Sequence, residues 1–150
     1  MTMLPKDLTV EDLLPHRGRM LLIDDVVHIE DDHAVALVQV SDRWPLVDHA
    51  AVSPLMIIEA VAQTAGLGNG LNLIKEQGKG ADKMGWIVGI KKARFFTDAL
   101  PLGARLVVES KNRFKFDDFV EIEGSAKIDD TIVGEVILQV MKADPNPESQ

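Results

Sequence analysis

Ser53-Pro54-Leu55-Met56-Ile57-Ile58-Glu59-Ala60-Val61-Ala62-Gln63-Thr64-Ala65-Gly66 is the stretch from which the rest of the chain can be placed. Ser53 offers a capping hydroxyl, and Pro54 has a φ that is already helical at a position where its missing N–H costs nothing. The pattern predicts a helix from Pro54 to about Gln77. Apolar residues (Leu55, Met56, Ile57, Ile58, Val61, Ala62, Ala65, Leu67) run almost all the way round it, as in a helix covered on most sides. One carboxylate, Glu59, stands among them, with Gln63 one turn later on the same face. Burying a carboxylate there is costly unless it has partners or a task. Gly66, Gly68 and Gly70 each weaken the helix by about 1 kcal/mol relative to alanine, so a closely packed sheet or a kink is expected in its second half.

Working outward toward the N-terminus, Ser41 to Val52 reads as an irregular crossover holding Trp44-Pro45 and Asp48-His49. Before it, His33 to Val40 alternates Ala34, Ala36, Val38 and Val40 against Val35, Leu37 and Gln39, the period of a strand. Met20 to Ile29 is a second strand, and Glu30-Asp31-Asp32 closes the two into a hairpin. Leu14 to Met20 is turn-rich, and Thr9-Val10-Glu11-Asp12 can cap a short first turn. After the helix, Trp86 to Ile90 is a strand that residues 91–96 can extend, and residues 98–103 form a turn. Ala104–Phe116, Phe119–Ile128 and Thr131–Lys142 form a meander that reverses at Asp117-Asp118 and Asp129-Asp130. The order β-β-α-β-β-β-β, with one helix too apolar for a free surface, predicts an α+β protein. A curved antiparallel sheet wraps around the helix, which is the hotdog fold. Residues 1–143 are expected to form this single domain and 144–150 a polar, disordered tail.

With 150 residues, 46% of them hydrophobic, one core is readily filled. There is no run of about 18 apolar residues and no signal-peptide layout, so a cytoplasmic protein is expected. The absence of cysteine excludes disulfides, thiol nucleophiles and cysteine-bound metals. His16, His28, His33 and His49 show no spacing such as H-E-x-x-H, so no metal site is expected. His28 and His33 flank the hairpin turn and are read as solvent-exposed. A net charge of −8 argues against nucleic acid and anionic membranes as partners.

Four segments, in order, are similar to one family over most of the chain. Leu14-Pro15-His16-Arg17 with Met20-Leu21-Leu22-Ile23-Asp24-Asp25-Val26 resembles the opening L-P-H-R…L-L-[VI]-D-x-V of the β-hydroxyacyl-acyl-carrier-protein dehydratases. Glu59-Ala60-Val61-Ala62-Gln63-Thr64-Ala65-Gly66 resembles the family's E-A-x-A-Q-x-x-G helix. Val88-Gly89-Ile90 with Ala93-Arg94-Phe95 resembles its x-G-I-x-x-A-R-F strand, and Pro101-Leu102-Gly103 its P-x-G turn. The departure is the loop G-H-F-P-G-x-P-x-x-P-G, where this chain has Asp48-His49-Ala50-Ala51-Val52-Ser53-Pro54. The family histidine stands four residues farther from the helix glutamate than His49 does from Glu59, so His49 is its counterpart by position.

The resemblance implies a (3R)-hydroxyacyl-[acyl-carrier-protein] dehydratase of fatty-acid-like biosynthesis. A 3-hydroxyacyl chain on a phosphopantetheine arm, of acyl carrier protein or coenzyme A, would lose water to give the trans-2-enoyl thioester with no further cofactor. His49 would take the C2 proton and Glu59 would serve the 3-hydroxyl, its pKa raised by apolar surroundings. Gln63 would orient Glu59, and backbone N–H groups at Leu55 and Met56 would hold the thioester oxygen at the helix N-terminus. Because the family's histidine and acid usually come from different subunits, a homodimer is implied, or a higher oligomer built from it. Lys91, Lys92 and Arg94 would suit an acidic carrier protein, the alternative being a lysine-decorated sheet edge. His16 is read as structural. Two other readings are a hotdog acyl-thioesterase using Glu59 and a non-catalytic acyl-binding hotdog subunit.

Overall fold

The computed structural model describes residues 4–81 and 85–142, so the tail expected at 144–150 lies outside the described residues. Thr9 and Asp12 form a reciprocal capping box: Thr9 N–H donates to Asp12 Oδ2 at 2.8 Å and Asp12 N–H to Thr9 Oγ1 at 3.3 Å. The single turn they start, α1 (Val10–Leu13), delivers Leu13 to the core. The next segment makes a 3-10 turn at Gly18–Met20 before β1 (Asp25–Ile29), which therefore begins later than Met20. β2 (His33–Gln39) completes the expected hairpin. The crossover is not wholly irregular, because β3 (Val47–Asp48) and β4 (Ala51–Val52) make a small hairpin within it. Then come α2 (Met56–Gln77), β5 (Gly85–Phe95), β6 (Leu100–Pro101), β7 (Arg105–Phe116), β8 (Phe119–Ile128) and β9 (Thr131–Lys142).

Six strands form one sheet in the order β1-β2-β7-β8-β9-β5, each neighbouring pair antiparallel. Asp117 and Asp129 turn the meander at φ 51° and 54°, a left-handed conformation that aspartate tolerates better than most residues. β3, β4 and β6 form a second, three-stranded sheet, so the turn expected at 98–103 carries a short strand. Inward-facing Ala36 and Val38 of β2, Leu106 and Val108 of β7, Val120 and Ile122 of β8, and Val136 and Leu138 of β9 are all buried. They share one core with Ile57, Ala60, Val61 and Leu67 of α2. The sheet makes room for the helix with glycine: a Cβ at Gly124 would lie 2.2 Å from Val61 Cγ1, and one at Gly134 2.7 Å from Ile57 Cδ1.

The helix glycines have a different neighbour from the sheet face or kink expected for them. α2 is unbroken over its 22 residues. A Cβ at Gly66 would lie 2.9 Å from Leu14 Cδ2, at Gly68 2.5 Å from the Glu30 carbonyl oxygen, and at Gly70 2.1 Å from the Leu13 carbonyl oxygen. The glycines are thus a track for α1, the link after it and the β1–β2 turn. Gly70→Ala weighs one effect against another: alanine gains about 1 kcal/mol of helix propensity, but its methyl group collides with backbone rather than a flexible side chain. Overpacking costs of about 1–3 kcal/mol rise when backbone must move, so a net loss of about 2 kcal/mol is expected. It should appear as a lower urea midpoint at unchanged m. A midpoint at or above wild type would show that α1 does not press on Gly70.

Candidate active site

Glu59 sits in the first turn of α2, and the segment after the 3-10 turn crosses the helix beside it. Gln63, only 1% exposed, ties the two together. Its Oε1 accepts Leu22 N–H at 2.9 Å, and its Nε2 donates to Met20 O at 2.7 Å and to Glu59 Oε1 at 2.9 Å. Both amide hydrogens and the carbonyl oxygen are engaged, as a buried amide requires. The second partner of Glu59 is His16, whose Nε2 lies 3.1 Å from Glu59 Oε1. His16 is held in turn by its loop, where Arg17 Nη1 donates to the carbonyls of Leu14 and His16 at 2.7 Å each. Among the described residues His16 Nδ1 is buried without a hydrogen-bond partner, which favours the tautomer with hydrogen on Nε2, pointing at Glu59.

Burial raises the pKa of Glu59, and this is the largest single influence on it. The hydrogen bonds from His16 and Gln63, with the charge of His16, together outweigh it and hold the carboxyl below the usual carboxylate range. The raised pKa expected from an apolar helix is therefore corrected: the first half of the helix is apolar, but the carboxylate of Glu59 is not left without donors. Glu59 is an anion at neutral pH. With His16 it borders a cavity of about 110 Å³ lined by Ala62, Leu73, Ile87 and Ile122 among others. The cavity reaches β5, a sheet edge that exposes Trp86, Ile87, Val88 and Ile90.

Within one chain, then, Glu59 and Gln63 come together as expected, and His16 joins them in place of His49. His49 lies in the turn between β3 and β4 with φ 54°, its side chain 95% exposed and its Nε2 3.3 Å from Asp48 Oδ1. It is not among the residues around the cavity. The amides considered for an oxyanion site are engaged within the turn: Leu55 N–H donates to Ser53 Oγ at 3.3 Å and Met56 N–H to Ser53 O at 3.1 Å. Gln63 acts on Glu59 and the backbone rather than lining the cavity.

Lys91, Lys92 and Arg94 do share one face. A bulge between Ile90 and Lys92 resets the register against β9, so that Lys92 lies opposite Ile137 and Arg94 opposite Glu135 on the outer side of the sheet. That face is not purely basic, since Lys91 Nζ lies 3.6 Å from Glu121 Oε1, and Lys92 shares a groove with Glu109, Glu123 and Glu135. Arg94 lies over the Phe96 ring at 5.4 Å.

His16 was legible as part of L-P-H-R, but 43 residues of sequence separate it from Glu59 and no periodicity links them. The signal was the motif itself: an otherwise unexplained buried glutamate needs a donor, and a histidine in a loop fixed by its neighbouring arginine can provide one. Gln63→Leu tests the tie between helix and loop. It leaves Leu22 N–H and Met20 C=O without their partner, which costs about 2–4 kcal/mol in total. Thermal unfolding measures this, and a loss under about 1 kcal/mol would mean that water replaces the amide.

A sheet wrapped on one buried helix, with a carboxylate facing a cavity at the sheet edge, defines a hotdog-fold protein with an acidic site on its helix. A family model described as ApeP-like, ApeP dehydratase, matches residues 8–150, and this chain belongs to that dehydratase family. Among relatives, the 3-hydroxyacyl-[acyl-carrier-protein] dehydratase FabZ of Streptococcus uberis is 35% identical over 125 residues, 80% of this chain and 85% of its own length. FabZ of Streptococcus pyogenes is likewise 35% identical over 125 residues, 80% of this chain and 86% of its own length. Among solved structures, the dehydratase heterocomplex ApeI:P from Xenorhabdus doucetiae superposes with a TM-score of 0.84 at 24% identity, over 95% of this chain and 96% of that one. Cj0977, a sigma28-regulated virulence protein from Campylobacter jejuni, gives 0.65 at 18% identity, over 91% and 97%. These two likenesses bear on the fold. Among the described residues, no helix is long and apolar enough to cross a membrane.

Proposed function

We propose that this dehydratase acts in the cytoplasm, as a homodimer, on a 3-hydroxyacyl group carried by the phosphopantetheine arm of an acyl carrier protein, and releases the trans-2-enoyl thioester and water without a further cofactor. The observation that carries the reading is Glu59, an ionised carboxylate fixed by two donors at the mouth of an apolar cavity. The relatives' names supply the substrate class. The cavity in one chain is small beside the roughly 300–1,000 Å³ of ordinary ligand sites, which fits a site completed by a second copy. A long edge strand with four exposed large apolar residues invites pairing with another strand, and a second copy along β5 would meet that need.

An ionised Glu59 cannot itself protonate the departing hydroxyl, so its role is to accept the hydrogen bond of the 3-hydroxyl and fix its position. The partner subunit's His49 takes the C2 proton on a ring nitrogen. The C3–O bond then breaks as the electrons of the C2–H bond become the C2=C3 bond. The imidazolium gives the same proton to the leaving hydroxyl, water departs, and both side chains return to their starting states. Thioester polarisation by Leu55 or Met56 N–H would require the Ser53 turn to open. Lys91, Lys92 and Arg94 are assigned to the acidic carrier protein, with Lys92 and Arg94 the better placed because Lys91 is engaged by Glu121.

The test is an assay of wild-type protein on a 3-hydroxyacyl-acyl-carrier-protein, following enoyl absorbance and free thiol together. The expected result is enoyl product without thiol release. Thiol release without enoyl product would replace the dehydration by thioester hydrolysis.

A further inference from the structure

His28 and His33, expected as separate, exposed residues beside a turn, are joined by the fold. In β1 a bulge between Val26 and His28 shifts the register, so that Val26 faces inward opposite Ala36 while His28 lies opposite Val35 on the outer face. A regular strand would have turned His28 inward like Val26, two residues earlier. The bulge brings the His28 ring to 4.9 Å from the His33 ring, centroid to centroid, with an interplanar angle of 53°. Glu30, from the turn, lies 3.2 Å from His28 Nε2 through Oε1. Glu109, from the neighbouring β7, lies 2.6 Å from His33 Nε2 through Oε2.

We propose that His28, Glu30 and His33, with Glu109 as fourth donor, form a site for a divalent first-row transition metal of the zinc type. The ligand atoms of the first three lie within 4.8 Å of one another, against about 3.4 Å for the edge of a tetrahedron with bonds near 2.1 Å. Small side-chain rotations close that gap without moving the strands. Two imidazoles and two carboxylates suit zinc and its neighbours, whereas calcium and magnesium prefer all-oxygen surroundings. Two glutamates balance the charge of a divalent ion, and Lys111 lies opposite His33 across the β2–β7 pair, with Lys92 and Lys127 in the same groove as Glu109. The frame is stiff because the Glu30 carbonyl packs on α2 at Gly68, where no side chain intervenes. The site lies on the outer side of the sheet and shares no residue with the Glu59 cavity. It therefore stands or falls apart from the dehydratase reading.

The test titrates tag-free wild-type protein with Zn²⁺ in competition with a chromophoric chelator, and with Co²⁺ by visible absorption. The expected result is one ion per chain, with the intense d–d bands of four-coordinate Co²⁺. His28→Gln and His33→Gln should each weaken binding by about tenfold or more, while the exposed His49→Gln binds as wild type does. Because a hairpin variant can be less stable, amide NMR of the wild type provides a second reading. Zinc should shift or broaden signals at residues 28–33 and around Glu109, and leave those around Glu59 in place. No binding by wild type, unchanged affinity in both histidine variants, or NMR changes centred elsewhere would overturn the proposal.

Discussion

Glu59→Gln is expected to lower kcat for dehydration by about 10²–10³-fold, the order of loss when one preorganised hydrogen-bonding group at a reacting centre is removed. KM should change much less. The substitution preserves shape and leaves an amide oxygen to accept from Gln63 and His16, so the fold should persist. The same variant gives a signature in stability against pH. The folded pKa of Glu59 is depressed below its ordinary 4.5, so the carboxylate's contribution to stability is complete above that value. It is lost as the pH falls through the lower, folded value. The difference in unfolding free energy between wild type and Glu59→Gln should therefore shift against the wild type as the pH falls below 4.5. Near wild-type kcat in the variant would remove Glu59 from the chemistry. A flat difference down to about pH 3 would mean that its charge-assisted bonds add nothing to stability.

His49→Ala is expected to cost about 10²–10⁴-fold in kcat, the range for a missing general base, with almost no change in unfolding midpoint. The second half of that expectation follows from the structure, since a side chain 95% exposed in a turn contributes little packing. The combination separates the two histidines. His16→Ala removes a donor from a partly buried carboxylate and opens a loop, so it should lower both stability and activity. If His16→Ala leaves stability unchanged while His49→Ala leaves kcat unchanged, His16 is the histidine of the chemistry and His49 is not.

Much of the fold is legible in the sequence because its signals are local. The central helix, the first hairpin, the capping box at Thr9 and the three-strand meander all follow from periodicity, turn residues and caps, within a residue or two at most boundaries. The small hairpin around His49 is not, because strands of two residues have no period to read. Nor is the neighbour of the helix glycines, because glycine spacing shows that backbone comes close, not which backbone. At the site, Glu59 with Gln63 can be seen as a buried carboxylate one turn from an amide. The contact with His16 cannot, because it depends on how a loop from before β1 crosses α2. The pKa of Glu59 escapes the sequence for the same reason: burial is visible in a helix pattern, while the donors that outweigh it include one from elsewhere in the chain. The approach of His28 to His33 depends on one bulge, and no turn motif in the sequence marks it.

The central claim is that the histidine and the carboxylate of each site belong to different copies of the chain. It is tested most directly by mixing His49→Ala and Glu59→Gln proteins, each inactive alone, after reversible dissociation and reassociation. Random pairing makes half of the dimers mixed, and each mixed dimer holds one site with both groups intact, so about a quarter of wild-type activity should return. If the mixture stays as inactive as its components while exchange of subunits is shown to be complete, His49 and Glu59 do not meet across an interface, and the active site is not the shared one proposed.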